Sequence, residues 1–313
     1  MSSREPVILG IDTSNYTTSA ARLEGENLRQ NKKLLPVKPG QLGLRQSDAV
    51  FHHVQQLPDI LAPLLEDAPA LRAVGVSDRP RAQEGSYMPC FTVGLGAARM
   101  LAAQAGAALH RFSHQAGHIA AALYSAGRLD LLKGKFLAFH VSGGTTEAVL
   151  VTPDQEEILH AEIVARSLDL KGGQAVDRAG VLLGLPFPAG PELEKLALQW
   201  GKPMKVRPVL KGCDCSLSGI ENQCKKLFDQ GHSKEEIARY CLEALLAALD
   251  GMCGALLAKY GSMPVLFAGG VMSNSILRRA LTEKYGAVFA EPAFSADNAA
   301  GAAVLAARKE GVL

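Results

Sequence analysis

Two histidines four residues apart form the clearest pair of metal-binding side chains in this sequence. His114 and His118 lie in a stretch that reads as the first turns of a helix, with Ser113 as its N-cap. Residues at this spacing share one face of a helix, so both imidazoles can bind one ion. A pair of histidines at the surface or at a helix cap is the alternative, and a metal site needs a third ligand. Asp297, just before an alanine-rich helix predicted over residues 298–310, is the expected third ligand. Two histidines and a carboxylate favour iron or zinc, and magnesium is compatible with part of the set.

Small-residue turns that follow apolar strands are a second kind of candidate site. A strand, a polar turn and a second strand are predicted in residues 7–23 and again in residues 136–151. The second turn consists of Ser142, Gly143, Gly144, Thr145 and Thr146. Such turns can direct several backbone N–H groups and hydroxyls towards one anion, although ordinary hairpin turns use the same residues. Their repetition favours a polyphosphate site.

A third candidate is the apolar strand that runs into Gly269 and Gly270, followed by a helix that carries Asn274. Glycines at this position let a phosphate or a flat ring approach the backbone, and the N-terminus of the helix favours anions. Asn274 would then hydrogen-bond a sugar or a base. The alternative is that the glycines only close a tight turn.

The elements around these residues predict two related halves. Helices are expected over residues 48–65, 173–183 and 191–200, with later strands over residues 73–77 and 265–267. Hairpins followed by alternating strands and helices indicate two mixed sheets covered by helices. A chain of 313 residues has the length for two such cores.

The composition excludes several classes of protein. Basic and acidic side chains nearly balance, 33 against 31, so the bulk charge neither indicates nor excludes a nucleic-acid partner. Residues 242–260 are apolar but include Glu243, Asp250 and Lys259, which favours a core helix over a membrane span. No signal peptide is evident, so we expect a cytoplasmic protein without a membrane partner.

Two further patterns exclude a disulfide-bonded protein and a peptidase. Cys213 and Cys215 have a single residue between them, which is not the spacing of a zinc knuckle or a redox pair, and we expect reduced thiols. Gln115 follows the first histidine, where zinc proteases have a glutamate. A metal without this general base is unsuited to proteolysis.

These motifs together resemble the family of tRNA threonylcarbamoyltransferases (TsaD and its relatives), once called glycoproteases, over nearly the whole chain. The resemblance rests on an ordered set of residues: the start at Gly10 to Ser14, His114, Gly117, His118, Val141 to Gly144, Asp177, Gly184, Pro188 to Pro191, Ser216, Ser218, Gly219, Ala268 to Val271, Asn274, Asp297 and Asn298. This set is far more specific than any one motif.

The resemblance implies an α/β fold of two ribonuclease-H-like domains of the actin and sugar-kinase (ASKHA) superfamily. The domains would comprise residues 1–130 with 295–313, and residues 131–294, with ATP or threonylcarbamoyl-AMP in an interdomain cleft. In such enzymes the amine of a tRNA adenosine attacks the carbamoyl carbonyl and AMP leaves. The partners implied are the nucleotide, tRNA, and a second copy or a related ASKHA protein in a dimer.

The resemblance also implies the roles of individual residues. His114, His118 and Asp297 match the metal ligands, and Asp12 with Ser14 would lie at the catalytic centre. The residues expected to contact the nucleotide are His140, Val141, Ser142, Gly143, Gly144, Thr145, Asp177, Gly190, Glu194, Gly269, Gly270 and Asn274.

The chain departs from the family pattern at positions that usually carry polar groups. These are Asn15, Tyr16 and Thr17 in place of Cys, Asp and Glu, Ala116 and Gln174 in place of Glu, Thr145 in place of His, and a longer charged stretch over residues 77–88. Three hypotheses therefore stand: a transferase acting on tRNA or another amine, a nucleotide-binding paralogue that acts as a scaffold, and a small-molecule kinase. A kinase would need a catalytic acid, for which Asp169 and Asp177 are the candidates.

Overall fold

The computed structural model forms two compact units. It describes residues 5–14, 16–36, 44–66, 68, 70–202, 204–295 and 299–313. Unit 1 comprises Met1–Gly134, Thr152–Ala161 and Ala293–Leu313, and unit 2 comprises Lys135–Val151 and Glu162–Pro292.

Unit 1 is built on a mixed sheet. Its elements are β1 (Val7–Asp12), β2 (Thr17–Glu24), β3 (Asn27–Leu34), α1 (Gln46–Leu65), β4 (Leu71–Arg79), α2 (Phe91–Ala105), β5 (Ala108–Ser113), α3 (His114–Ser125) and α9 (Ala300–Lys309), with a 3-10 turn at Leu129–Lys133. The strand order is β3-β2-β1-β4-β5; β1, β2 and β3 pair antiparallel, and β4 and β5 run parallel to β1.

The centre of this sheet is covered on both faces. Every residue of β1 is buried, which matches its nearly continuous apolar sequence. Side chains alternate between the faces of a strand, so Leu9 and Ile11 pack with residues of α1 and α2, whereas Gly10 lies against α9. The polar turn after β1 therefore starts from a rigid, buried strand.

Unit 2 repeats this arrangement. Its elements are β6 (Phe136–Val141), β7 (Thr146–Asp154), β8 (Ile158–Arg166), α4 (Gly172–Leu182), α5 (Gly190–Gln199), β9 (Val209–Lys211), β10 (Asp214–Ser216), α6 (Ser218–Asp229), α7 (Lys234–Tyr260), β11 (Val265–Ala268), α8 (Ser275–Tyr285) and β12 (Val288–Phe289), with 3-10 turns at Gly270–Ser273 and Pro292–Phe294. Residues 152–161, at the end of β7 and the start of β8, and residues from 293 onward are counted with unit 1. The main sheet has the order β12-β11-β6-β7-β8, and β9 pairs with β10 separately.

The two sheets share one topology. In each, a strand pairs antiparallel with the next strand and parallel with a later one: β1 with β2 and β4, and β6 with β7 and β11. The predicted pair of related α/β halves is confirmed for the residues that the structure describes.

The long helix α7 is a core element of unit 2. By length and composition it could cross a membrane, with a mean hydropathy of 1.7 over its most apolar stretch, but half of that stretch is buried inside the protein. Its buried residues, among them Leu245 and Leu249, belong to the main apolar core of the unit. This burial accounts for its apolar sequence.

Candidate functional site

The two predicted histidine ligands lie together on α3. Ser113 caps the helix, because its hydroxyl oxygen accepts a hydrogen bond from the Ala116 N–H at 3.2 Å. The rings of His114 and His118 are edge to face, with centroids 4.3 Å apart. The spacing thus produces the shared face that a common ion requires.

A close contact between α3 and α9 fixes the position of the two histidines relative to α9. Gly117, between the histidines, lies against Gly301 of α9, where an added Cβ would be 1.8 Å from the Gly117 carbonyl oxygen. No side chain fits at Gly301 without moving one helix. Asp297, the predicted third ligand, lies outside the described residues.

Asp12, a predicted catalytic residue, lies at the end of β1 beside His114. Its side chain is buried, with Oδ2 2.8 Å from His114 Nδ1, and Oδ1 accepts a hydrogen bond from the Ser14 N–H at 2.9 Å. Burial opposes ionisation of Asp12, but His114 and the hydrogen bonds outweigh it and hold the pKa of Asp12 below its ordinary value.

A further histidine adds no charge beside Asp12. His53 of α1 is fully buried, and its Nδ1 lies 2.8 Å from Thr18 Oγ1. Burial lowers the pKa of His53 to about 4, although the charge of Asp12 acts in the opposite direction. His53 is therefore neutral at pH 7.

The donor set at α3 fits a borderline metal such as iron or zinc. Imidazole nitrogens suit these ions, whereas magnesium prefers oxygen ligands, and histidine ligands commonly use their other ring nitrogen to bind a carboxylate, as His114 does with Asp12. Among the described residues, no three His, Cys, Asp or Glu side chains are grouped as metal ligands. Asp12 therefore lies next to a predicted ligand without completing the set.

Unit 2 contains a cavity of 440 Å³. Its wall is formed by Ser142, Gly143, Gly173, Val176, Asp177, Pro188, Gly190, Pro191, Glu194, Leu242, Gly270, Val271, Ser273 and Asn274. Seven of the residues predicted to contact a nucleotide belong to this wall: Ser142, Gly143, Asp177, Gly190, Glu194, Gly270 and Asn274. The structure thus brings together residues that lie up to 132 positions apart in the sequence.

The other predicted contacts lie outside that wall. His140 and Val141 end β6, and Gly269 packs on the backbone of Val141. Gly144 and Thr145 belong to the turn between β6 and β7. These residues shape the turn that reaches the cavity.

That turn offers backbone donors to an anion. It is closed by the Ser142 N–H, which donates to Thr145 O at 2.8 Å, and by the Thr145 N–H, which donates to Ser142 Oγ at 3.1 Å. The N–H groups of Gly143 and Gly144 have no backbone acceptor among the described residues, and both glycines are exposed. Two adjacent N–H groups without covering side chains can bind a phosphate.

Two carboxylates in the wall are held by the backbone. Asp177 Oδ1 accepts a hydrogen bond from the Ala189 N–H at 2.9 Å, and Glu194 Oε1 accepts one from the Ser275 N–H at 2.7 Å. Each therefore has a second oxygen that can accept a hydrogen bond from a ligand hydroxyl. Fixed carboxylates of this kind suit the hydroxyls of a ribose.

The N-terminus of α8 differs from the sequence-based expectation. Asn274 Oδ1 accepts hydrogen bonds from the N–H groups of Ile276 and Leu277, and Glu194 accepts that of Ser275. A protein carboxylate and an amide therefore occupy the place expected for an anionic ligand. The Asn274 side chain can still donate through its amide nitrogen, so its predicted contact with a sugar or base stays a prediction.

Sequence reasoning missed several residues of the wall, namely Gly173, Val176, Pro188, Pro191, Leu242, Val271 and Ser273. Gly173 had a local signal, because it follows another glycine at the predicted start of α4. An added Cβ there would lie 2.6 Å from the Gly143 backbone nitrogen. Leu242 had none, because an apolar residue on a core helix looks the same whether it faces the core or a cavity.

Asp169, one candidate acid for a kinase, has a structural role. Its carboxylate accepts hydrogen bonds from the N–H groups of Leu170, Leu217 and Ser218, and from the Ser218 hydroxyl. Both oxygens are thereby used to hold the first turn of α6. This arrangement gives no support to a catalytic role in phosphoryl transfer.

Comparison with known proteins identifies one family. The model of the tRNA N6-adenosine threonylcarbamoyltransferase family (TsaD) matches residues 36–304. A tRNA N6-adenosine threonylcarbamoyltransferase of Archaeoglobus fulgidus is 29% identical over 293 residues, which cover 91% of this chain and 85% of the relative.

Solved structures of similar fold have low sequence identity. Component A of the (R)-2-hydroxyglutaryl-CoA dehydratase of Acidaminococcus fermentans has a TM-score of 0.56 at 15% identity, covering 98% of this chain and 100% of that one. A ROK family glucokinase from Streptomyces griseus has a TM-score of 0.53 at 13% identity, covering 96% and 99%. These likenesses confirm the predicted sugar-kinase type of fold.

Proposed function

Because the chain belongs to the tRNA N6-adenosine threonylcarbamoyltransferase family, we propose that it transfers a threonylcarbamoyl group from an adenylate to the N6 amine of an adenosine in tRNA. The lone pair of the amine attacks the carbonyl carbon, the bond from that carbon to the phosphate oxygen breaks, and AMP leaves. The amine loses one proton. A tRNA acceptor agrees with the cytoplasmic location expected from the sequence.

The convergence of distant residues on the cavity of unit 2 carries this proposal. The turn N–H groups at Gly143 and Gly144 would bind the phosphate, and the second oxygens of Asp177 and Glu194 would accept hydrogen bonds from the ribose. Holding the mixed anhydride at fixed points orients its carbonyl for attack. Apolar residues of the wall, among them Val176 and Leu242, would pack against the ligand.

A divalent metal at His114, His118 and Asp297 is part of the proposal. When bound, such an ion would supply a Lewis acid, which can polarise a carbonyl or phosphoryl oxygen. The chain's own contribution is to place the two imidazoles on one face of α3 and to hold that of His114 through a hydrogen bond with Asp12. Iron or zinc is the expected ion, and a homodimer or a heterodimer with a related chain stays a prediction.

The test is a transfer assay with purified protein. Unmodified tRNA and threonylcarbamoyl-AMP are incubated with the protein, and the digested tRNA is examined by mass spectrometry. Formation of threonylcarbamoyladenosine supports the proposal. Tight nucleotide binding without product would indicate the scaffold hypothesis instead, and a phosphorylated metabolite formed from ATP would indicate a kinase.

A further inference from the structure

The carboxylate of Asp12 is held in one orientation from several sides. Oδ1 accepts a hydrogen bond from the Ser14 N–H at 2.9 Å, and the backbone carbonyl of Asp12 accepts one from the Ser19 hydroxyl at 3.2 Å. Thr13 links the same segment to α2, through a bond to Cys90 O and one from the Gly94 N–H. With a side chain only 1% exposed, Asp12 has little freedom to rotate.

Its second oxygen selects one form of the neighbouring ring. Oδ2 lies 2.8 Å from His114 Nδ1, and an ionised carboxylate can only accept a hydrogen bond. When the carboxylate is ionised, the proton of this hydrogen bond is therefore on Nδ1. In the neutral ring this places the lone pair on Nε2, the nitrogen that can then bind a metal.

We propose that Asp12 is a positioning residue that holds His114 in the tautomer and orientation needed to bind a metal ion through Nε2. The inference rests on the metal site proposed above and assigns Asp12 a task separate from ligation and from proton transfer to the substrate. The geometry agrees, because Asp12 Oδ2 is engaged with the ring of His114. Asp12 and His114 acting as an acid–base pair is the alternative that the test must separate.

The first experiment measures metal affinity. Metal-free full-length protein is titrated with Co²⁺ in competition with a chromophoric chelator, for the wild type, Asp12→Asn and Asp78→Asn. Asp78 is a matched control, since it is a 2% exposed carboxylate of the same sheet that pairs with Arg79 and Arg111 and not with a histidine. We expect Asp12→Asn to bind about 10- to 100-fold more weakly, with Asp78→Asn unchanged.

The outcomes separate the positioning role from the metal site itself. Equal affinity of the wild type and Asp12→Asn would overturn the positioning role while leaving the metal site in place. A rate loss in Asp12→Asn with unchanged affinity would identify an acid–base pair instead. If the wild type binds no Co²⁺, both the metal site and the role of Asp12 are wrong.

A second measurement does not depend on the variant folding. Two-bond proton–nitrogen NMR correlations on metal-free wild type report which ring nitrogen of His114 carries the proton, with the signals assigned by their loss in His114→Asn. The proposal requires the Nδ1–H tautomer. A ring protonated on Nε2 alone would overturn it.

Discussion

Replacing Gly301 with alanine should disturb the contact that places the histidine pair. The new Cβ would lie 1.8 Å from the Gly117 carbonyl oxygen, so α3 and α9 must separate by more than 1 Å to reach a normal contact of about 3 Å. Overpacking of a buried contact costs roughly 1–3 kcal/mol of folding free energy. We expect a cost near the upper value, because the clashing atoms of Gly117 are backbone atoms and cannot rotate away. For units of this size we expect the melting temperature to fall by about 5–10 °C.

Gly96→Ala is the matched control, because this glycine lies in α2 of the same unit and an added Cβ there meets no atom of the described residues within 4 Å. Glycine has a lower helix propensity than alanine, so this variant should be unchanged or more stable by about 0.5–1 kcal/mol. Calorimetry of both variants and the wild type decides the question. If the melting temperatures of Gly301→Ala and Gly96→Ala agree to within about 1 °C, the close contact of α3 and α9 is wrong.

Three further predictions address the cap, the cavity and a pH dependence. Ser113→Ala should cost about 1 kcal/mol in denaturant unfolding, and no loss would contradict the N-cap at α3. Asp177→Asn should weaken binding of an adenosine nucleotide about tenfold in calorimetric titration, and unchanged affinity would remove Asp177 from the site. Burial opposes ionisation of Asp169, but hydrogen bonds from Ser218 and neighbouring N–H groups hold its pKa below the ordinary 3.8. Its stabilising contribution is therefore complete above that value and is lost as the pH falls through the depressed pKa. Asp169→Asn should be less stable than the wild type at pH 7, with a difference in stability that shrinks as the pH falls below 3.8; a difference that does not shrink would contradict this assignment.

Local sequence patterns predicted the strands and helices that carry the site. The run over residues 136–141 is continuously apolar and forms β6, with the predicted Ser-Gly-Gly turn directly after it. Ser113 at the start of α3 was predictable for the same reason, because capping depends on residues three positions apart. Such features depend on neighbours in the chain.

Contacts between distant residues were not predictable in this way. The bond between Asp12 and His114 joins residues 102 positions apart, and the bond between Glu194 and the Ser275 N–H joins residues 81 apart. The second contact explains why the expected anion site at α8 is filled by the protein itself. Gly301 likewise looks like one small residue in an alanine-rich helix until α3 is placed against it.

The proposed function requires that the cavity of unit 2 holds the adenylate. A crystal structure of the full-length protein with a non-hydrolysable ATP analogue would show whether it does. We predict that the phosphates lie on the N–H groups of Gly143 and Gly144, with the ribose within hydrogen-bond distance of Asp177 and Glu194. A nucleotide bound away from these four residues would contradict the account.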